Sequence, residues 1–217
     1  MKRRGRAYSV RFRRMSWPDR LFVKMKYTTG MVNTSLGTTA GAALFAYAGN
    51  GLFDPDLQTG GHQPYGLDQY NGLYNSYMVY ASKIRVYAEA QNVGYLQVAV
   101  VPNTDSAPFN ISTEDYLWEV PNLRYKICRS AVVAGSPADI FLPPKSVVIK
   151  HYAKTKKMYI NTLTWNSFTA AFGANPATMW RWNVIYKKLG GPVYVINYEV
   201  QLKYYVMFMD RLQPNPS

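Results

Sequence analysis

One cysteine and two histidines are the whole supply of soft metal ligands and imidazole bases in these 217 residues. Cys128 has no second cysteine to pair with, so no intrachain disulfide staples the fold and a disulfide-framed secreted module is disfavoured. With His62 and His151 far apart in the chain, a structural zinc site has no ligand set. Cys128 sits in an alternating run and reads as a buried strand thiol rather than a nucleophile. Long apolar runs are also missing. The longest, Ala40–Ala48, is full of Ala and Gly and far short of the ~20 residues of a membrane span, so no membrane insertion is expected. The N-terminus lacks the apolar middle of a secretory signal. It shares the Arg richness of mitochondrial transit peptides, but Pro18 and a strand at Leu21 follow too soon for cleavage to leave a tidy domain.

Catalytic signatures are scarce too. Glycines cluster in turns without a following Lys-Ser/Thr, and neither histidine stands in a nucleophile motif. Of the paired carboxylates, Glu114/Asp115 fit a helix cap. Asp54/Asp56 flank Pro55 as a turn, with a weak divalent-cation site as the rival reading. No enzymatic activity and no cofactor are expected.

Acid is absent from residues 1–14, MKRRGRAYSVRFRR, which hold Lys2, Arg3, Arg4, Arg6, Arg11, Arg13 and Arg14. Of the net charge of +13, +7 lies there and +6 is spread over the other 203 residues. Such a segment cannot bury its charges and calls for an anionic partner, nucleic acid first and anionic lipid or sulfated glycan after it. Tyr8, Phe12 and Trp17 interleave with the cations. They stack on bases in one reading and pin the arm to the body's inner face in the other. Residues 1–18 thus read as a basic arm and 19–217 as a β-body.

The body alternates at period 2. A first strand, Leu21 to about Asn33, sets Leu21, Val23, Met25 and Tyr27 against a cationic polar face with Lys24 and Lys26. That face either extends the arm's patch or is merely solvated. Residues 34–76 read as one long loop with a short helical piece at 68–76. Strands follow at 77–92, 95–101, from 123, at 147–152 and from 182 to the Gly190-Gly191-Pro192 turn. Residues 160–180 carry no clear pattern. The last strand places Tyr194, Ile196, Tyr198, Val200, Leu202, Tyr204, Val206 and Phe208 on one face. Mid-strand Glu89 and Glu199 are expected to pair with neighbouring Lys or Arg, and His62 to hydrogen-bond within its loop. Ser112 or Thr113 caps the clearest helix signal, which Pro121 closes. Lys154–Lys157 reads as an exposed turn and a candidate glycan contact. Seven or eight strands, long loops and one short helix predict an all-β fold, a jelly-roll sandwich of two antiparallel sheets.

The stretch Gly61-His62-Gln63-Pro64-Tyr65-Gly66 with Asp68-Gln69, followed by Tyr74-Asn75-Ser76-Tyr77 and Ser82-Lys83-Ile84, resembles the capsid proteins of circovirus-like, Rep-encoding circular single-stranded DNA viruses. The order of arm, strand, long loop, strands and long terminal strand is similar along the whole chain. The resemblance implies a jelly-roll subunit, a homo-oligomeric icosahedral shell of about 60 copies, and an arm turned inward to the single-stranded DNA genome. It places the protein in the virion, and in the host nucleus during assembly. Family arms are often longer and denser in Arg, which leaves a larger role here for Lys24 and Lys26. The Lys2–Arg6 run also has the composition of a nuclear-import signal, implying a host import receptor as partner. A cell-surface glycan is a further candidate partner, for the outer face. A cellular β-rich nucleic-acid-binding module is the competing reading. A lectin or cupin is disfavoured, because cupin chemistry needs a cluster of metal-binding histidines.

Overall fold

Alternation of apolar and polar residues fixes which face of each strand is buried, and the longest alternating run anchors the architecture. The computed structural model describes residues 18–36, 41–58, 60–91, 94–105, 119–129, 145–159, 165–189 and 194–212. The arm cations and most of the expected Ser112–Pro121 helix lie outside these residues. Among them run β1 (Leu21–Thr28), β2 (Val32–Leu36), β3 (Ala42–Ala48), α1 (Leu67–Asn71), β4 (Tyr74–Ala90), β5 (Tyr95–Asn103), β6 (Arg124–Arg129) and β7 (Ser146–Lys154). They continue with α2 (Thr155–Met158), a 3-10 turn (Trp165–Phe168), β8 (Thr169–Ala171), β9 (Arg181–Leu189) and β10 (Tyr194–Arg211).

Two antiparallel sheets form. One has the order β1-β10-β4-β7, with β2 continuing the β1 edge along β10 and β8 capping one end of β4. The other has the order β3-β9-β5-β6. With β1 and β2 taken as one interrupted strand and β8 set aside, eight strands in chain order lie 1-8-3-6 in one sheet and 2-7-4-5 in the other. That is the eight-stranded jelly roll of two interlocked Greek keys.

The core lies between the sheets. From β10, Ile196, Tyr198, Val200, Leu202, Tyr204, Val206 and Phe208 are all buried. They meet Ile84, Val86, Ala88 and Ala90 of β4, and Leu96, Val98, Val100, Trp182, Val184 and Tyr186 across the sandwich. Three polar tips in this core find partners, whereas the buried Tyr47 and Tyr186 hydroxyls have none among the described residues. Trp182 donates from Nε1 to the Ser82 hydroxyl (2.8 Å), Trp180 to Thr155 Oγ1 (3.1 Å), and the Tyr204 hydroxyl to the Ala48 carbonyl (2.8 Å). The first and the last tie the sheets together, β9 to β4 and β10 to β3, where apolar burial alone sets no register.

Several elements depart from the sequence expectation. The first strand is two, broken at Gly30, whose φ of 69° favours glycine. Across the break the Thr29 side chain substitutes for the ladder by accepting from the Val200 N–H (3.1 Å). The expected 34–76 loop contains β3. Its Ala-rich sequence has weak strand propensity, and its extended form follows from seven-residue pairing with β9. The short helical piece expected at 68–76 is α1, while α2 and the 3-10 turn exceed the expectation. Lys154–Lys157 is not a plain turn but the end of β7 and most of α2, held by buried Thr155, whose hydroxyl donates to the Val79 carbonyl (2.7 Å). Cys128 is fully buried, and burial pushes its thiol up to about 11.

His151 on β7 couples packing to pH. Its Nδ1 accepts from the Tyr152 N–H (2.8 Å) and its Nε2 lies 2.7 Å from the Asn122 carbonyl, an arrangement that requires the neutral Nε2–H tautomer. Burial holds its pKa below the ordinary value, and the Arg124 charge acts in the same direction. The unfolded chain therefore binds a proton that the folded chain resists, so stability falls as pH drops through and below about 6.5. Thermal melts between about pH 5 and 7.5 check this, with His151→Gln expected to flatten that part of the dependence. Tyr204→Phe, which strands the Ala48 carbonyl, is expected to cost about 1–2 kcal/mol in denaturant unfolding, against near zero for Tyr205→Phe on the opposite face.

Candidate nucleic-acid interface

The face of the β1-β10-β4-β7 sheet turned away from the core is built by the residues between the buried ones. Register places them in rows across the four strands. Lys26, Lys203, Lys83 and Tyr152 form one row; Thr28, Gln201, Arg85 and Lys150 form the next; Lys24, Tyr205, Ala81 and Lys154 form a third. Strands lie about 4.8 Å apart and same-face residues about 6.7 Å apart along a strand. Seven cations (Lys24, Lys26, Lys83, Arg85, Lys150, Lys154 and Lys203) thus share a patch roughly 15 Å on a side. All but half-buried Lys203 are exposed.

Few acids answer them. Among the described residues, none of the seven forms an ion pair with a carboxylate. Glu199 accepts from the Thr28 hydroxyl (3.0 Å) and the Gln201 amide (2.7 Å), and Glu89 from the Tyr87 hydroxyl (3.1 Å). Their hydrogen-bond partners are therefore neutral groups rather than the expected Lys or Arg. Clustered like charge on a stiff sheet raises the local potential and attracts polyanions.

Aromatic rings border the cations. A bulge at β4, where the register shifts opposite Tyr205/Val206, turns Tyr80 onto this face. Phe22 meets Tyr80 edge-on at 6.0 Å, Tyr80 lies 6.0 Å from Tyr205, and Tyr205 lies 6.1 Å from Tyr152. The Lys203 ammonium sits 6.0 Å from the Tyr205 ring centre. Cations interleaved with rings suit a single-stranded nucleic acid, whose phosphates and bases need both.

At the opposite end, Gly61 and His62 lie against Tyr27 of β1. Asp54 accepts from the Gly61 N–H (3.0 Å) and Asp56 from the Gln58 N–H (3.1 Å), so both carboxylates act as turn formers. Among the described residues no cluster of three or more His, Cys, Asp or Glu offers a metal site. His62 stacks on Tyr27, with centroids 4.8 Å apart and planes at 30°, rather than working as a loop hydrogen-bonding residue. Burial, with Asp56 and Asp54 adding to it, pushes the Tyr27 phenol up to about 12.

Of the sequence-predicted contacts, Lys24 and Lys26 lie on this face, as their alternation requires. The arm cations Lys2, Arg3, Arg4, Arg6, Arg11, Arg13 and Arg14 lie outside the described residues. The place where the arm joins the body is defined. The Tyr74 hydroxyl donates to the Pro18 carbonyl (2.8 Å) and Asp19 faces Arg211 at 3.8 Å, so the chain enters β1 at a corner of this same sheet. The sequence pattern alone assigns no nucleic-acid-binding role to Lys83, Arg85, Lys150, Lys154 and Lys203. Their polar-face spacing is visible in the chain, but only strand order brings them together.

Comparison with known proteins bears on the fold alone. No family model matches the chain, and neither does any curated protein. Among solved structures it is similar to the BFDV capsid protein in its decameric form, at 13% identity over 88% of this chain and 99% of that one, with a TM-score of 0.44. The 60-mer form of that protein gives 12% identity, 93% and 100% coverage, and a TM-score of 0.43. A chain of mud crab tombus-like virus gives 12% identity, 100% and 94% coverage, and a TM-score of 0.46. The jelly-roll assignment itself stands on the strand order and pairing of this chain.

Replacing Lys83, Arg85 and Lys203 together with Gln is expected to weaken binding to oligo-dT. It should also make the plot of log affinity against log salt shallower by about 2, at roughly 0.7 for each phosphate that is no longer neutralised. Fluorescence anisotropy across a salt series reads the slope. The melting temperature should stay level or rise as like-charge repulsion is relieved.

Proposed function

We propose that this chain is a viral capsid subunit that self-assembles into a small icosahedral shell and packages circular single-stranded DNA. The observation that carries this reading is the pairing of a jelly-roll sandwich with an unneutralised cationic sheet face, at one corner of which a seven-cation arm is attached. A stiff sandwich tiles well, and heterologous contacts between identical tiles close rings around symmetry axes, with about 60 copies in the simplest shell. The arm, residues 1–18, is the tether. Seventeen residues reach at most about 55–60 Å when extended, enough to sweep the cationic face of its own subunit and beyond. Lys2, Arg3, Arg4, Arg6, Arg11, Arg13 and Arg14 contact phosphates without reading sequence, and Lys24, Lys26 and the sheet cations continue that contact. Single contacts are weak; multiplied over a shell they become strong.

The remaining roles follow from the same charge. The Lys2–Arg6 run suits import of the free subunit into the host nucleus, before assembly hides the arm. In the virion, exposed Lys156 and Lys157 offer sulfated glycans a contact.

Electron microscopy of purified full-length protein tests the reading: particles of uniform size enclosing nuclease-resistant DNA are expected. A protein that stays monomeric across salt and pH, with or without DNA, ends it. Deleting residues 1–14 is expected to leave self-association intact while DNA protection falls; a simple cellular nucleic-acid binder would lose its one function and show no assembly to retain.

A further inference from the structure

The segment from Gly61 to Gly66 is built to hold one aromatic ring out in solvent. Gly61 is required at its start, since a Cβ there would come within 2.6 Å of the Tyr27 hydroxyl. Pro64 is buried and its carbonyl accepts from the Leu67 N–H (3.1 Å), while Gly66 turns into α1 with φ of 85°. Between these fixed points His62 lies flat on Tyr27, and Tyr65 is 91% exposed, against 65% for Phe22. An apolar ring held so far out on an anchored loop contributes little to folding.

Tyr65 and His62 form one wall of an open cleft of 590 Å³, and Lys26, Lys83, Arg85, Lys150 and Lys203 are among the sheet residues that line the rest. The volume falls within the usual range for small-ligand sites, roughly 300–1,000 Å³. Cations on one side and a π-face on the other match the two halves of a nucleotide.

We propose that this cleft is a nucleotide subsite in which the sheet cations hold consecutive phosphates of a single strand and Tyr65 stacks one of its bases. The proposal deepens the packaging reading and rests on it, giving the genome a seat on the folded body that is separate from the arm. Stacking tolerates any base, so the seat is sequence-independent. A sulfated sugar has no π-face and would use the cations alone.

The test uses full-length protein, an oligo-dT carrying 5-iododeoxyuridine for photo-crosslinking, and a heparin oligosaccharide as a base-free polyanion. Adducts are expected at Tyr65 or His62. Tyr65→Ala is expected to weaken oligo-dT binding about tenfold, Tyr65→Phe to retain it, and both to leave heparin affinity unchanged. Adducts confined to residues 1–17, an unchanged oligo-dT affinity in Tyr65→Ala, or an equal loss toward heparin would each overturn the subsite while leaving packaging by the arm intact. Wild-type protein that binds no oligo-dT would overturn the packaging reading along with it.

Discussion

The eighteen residues of β10 hydrogen-bond to neighbours on both sides, β1 and β2 on one and β4 on the other. Because side chains alternate, this one ladder decides two surfaces at once. Every inward residue from Ile196 to Phe208 goes to the core, and every residue between them goes to the outer face. A slip of one residue would bury Lys203 and expose Tyr204. The apolar row therefore holds the cationic row in place, and neither surface can vary independently of the other.

Holding seven cations on one sheet face runs against stability, since nothing among the described residues neutralises them as ion pairs. The sandwich tolerates this through an aromatic-rich core in which Trp182, Trp180 and Tyr204 find partners at Ser82, Thr155 and Ala48. On the proposed reading this charged surface receives an anion, and the rings at Phe22, Tyr80, Tyr205 and Tyr152 narrow the kind of anion it fits. The edge strand β7 carries Lys150 and Lys154, which also discourage unwanted edge-to-edge pairing.

Legibility in the sequence varied with the source of each element's stability. β4 and β10 were plain, because their own alternation encodes a buried face; β5 was legible as a short apolar run and is buried on both faces. β3 was not: Ala42, Ala43, Ala46 and Ala48 carry almost no strand preference, and β9 imposes the extended form. The break at Gly30 shows in the sequence only as a change of parity, from Leu21, Val23, Met25 and Tyr27 in β1 to Val32, Thr34 and Leu36 in β2, which a single continuous strand does not allow. α2 was invisible because Thr155, Lys156 and Lys157 lack an apolar stripe; the buried Thr155 hydroxyl and Met158 packed on the core hold it. At the interface, Lys24 and Lys26 could be read from one strand, while Lys83, Arg85, Lys150, Lys154 and Lys203 are scattered over more than a hundred residues of chain.

By itself the sequence determined that the body is a two-sheet β-sandwich and that an acid-free cationic segment leads into it, because period-2 burial and charge are local properties of the chain. Which strands become neighbours was decided only by the tertiary structure. That choice joins cations from four distant strands into one face and swings the Gly61–Gly66 loop against it. Strand order depends on how two curved sheets bury each other, a property of the whole chain that no single window contains.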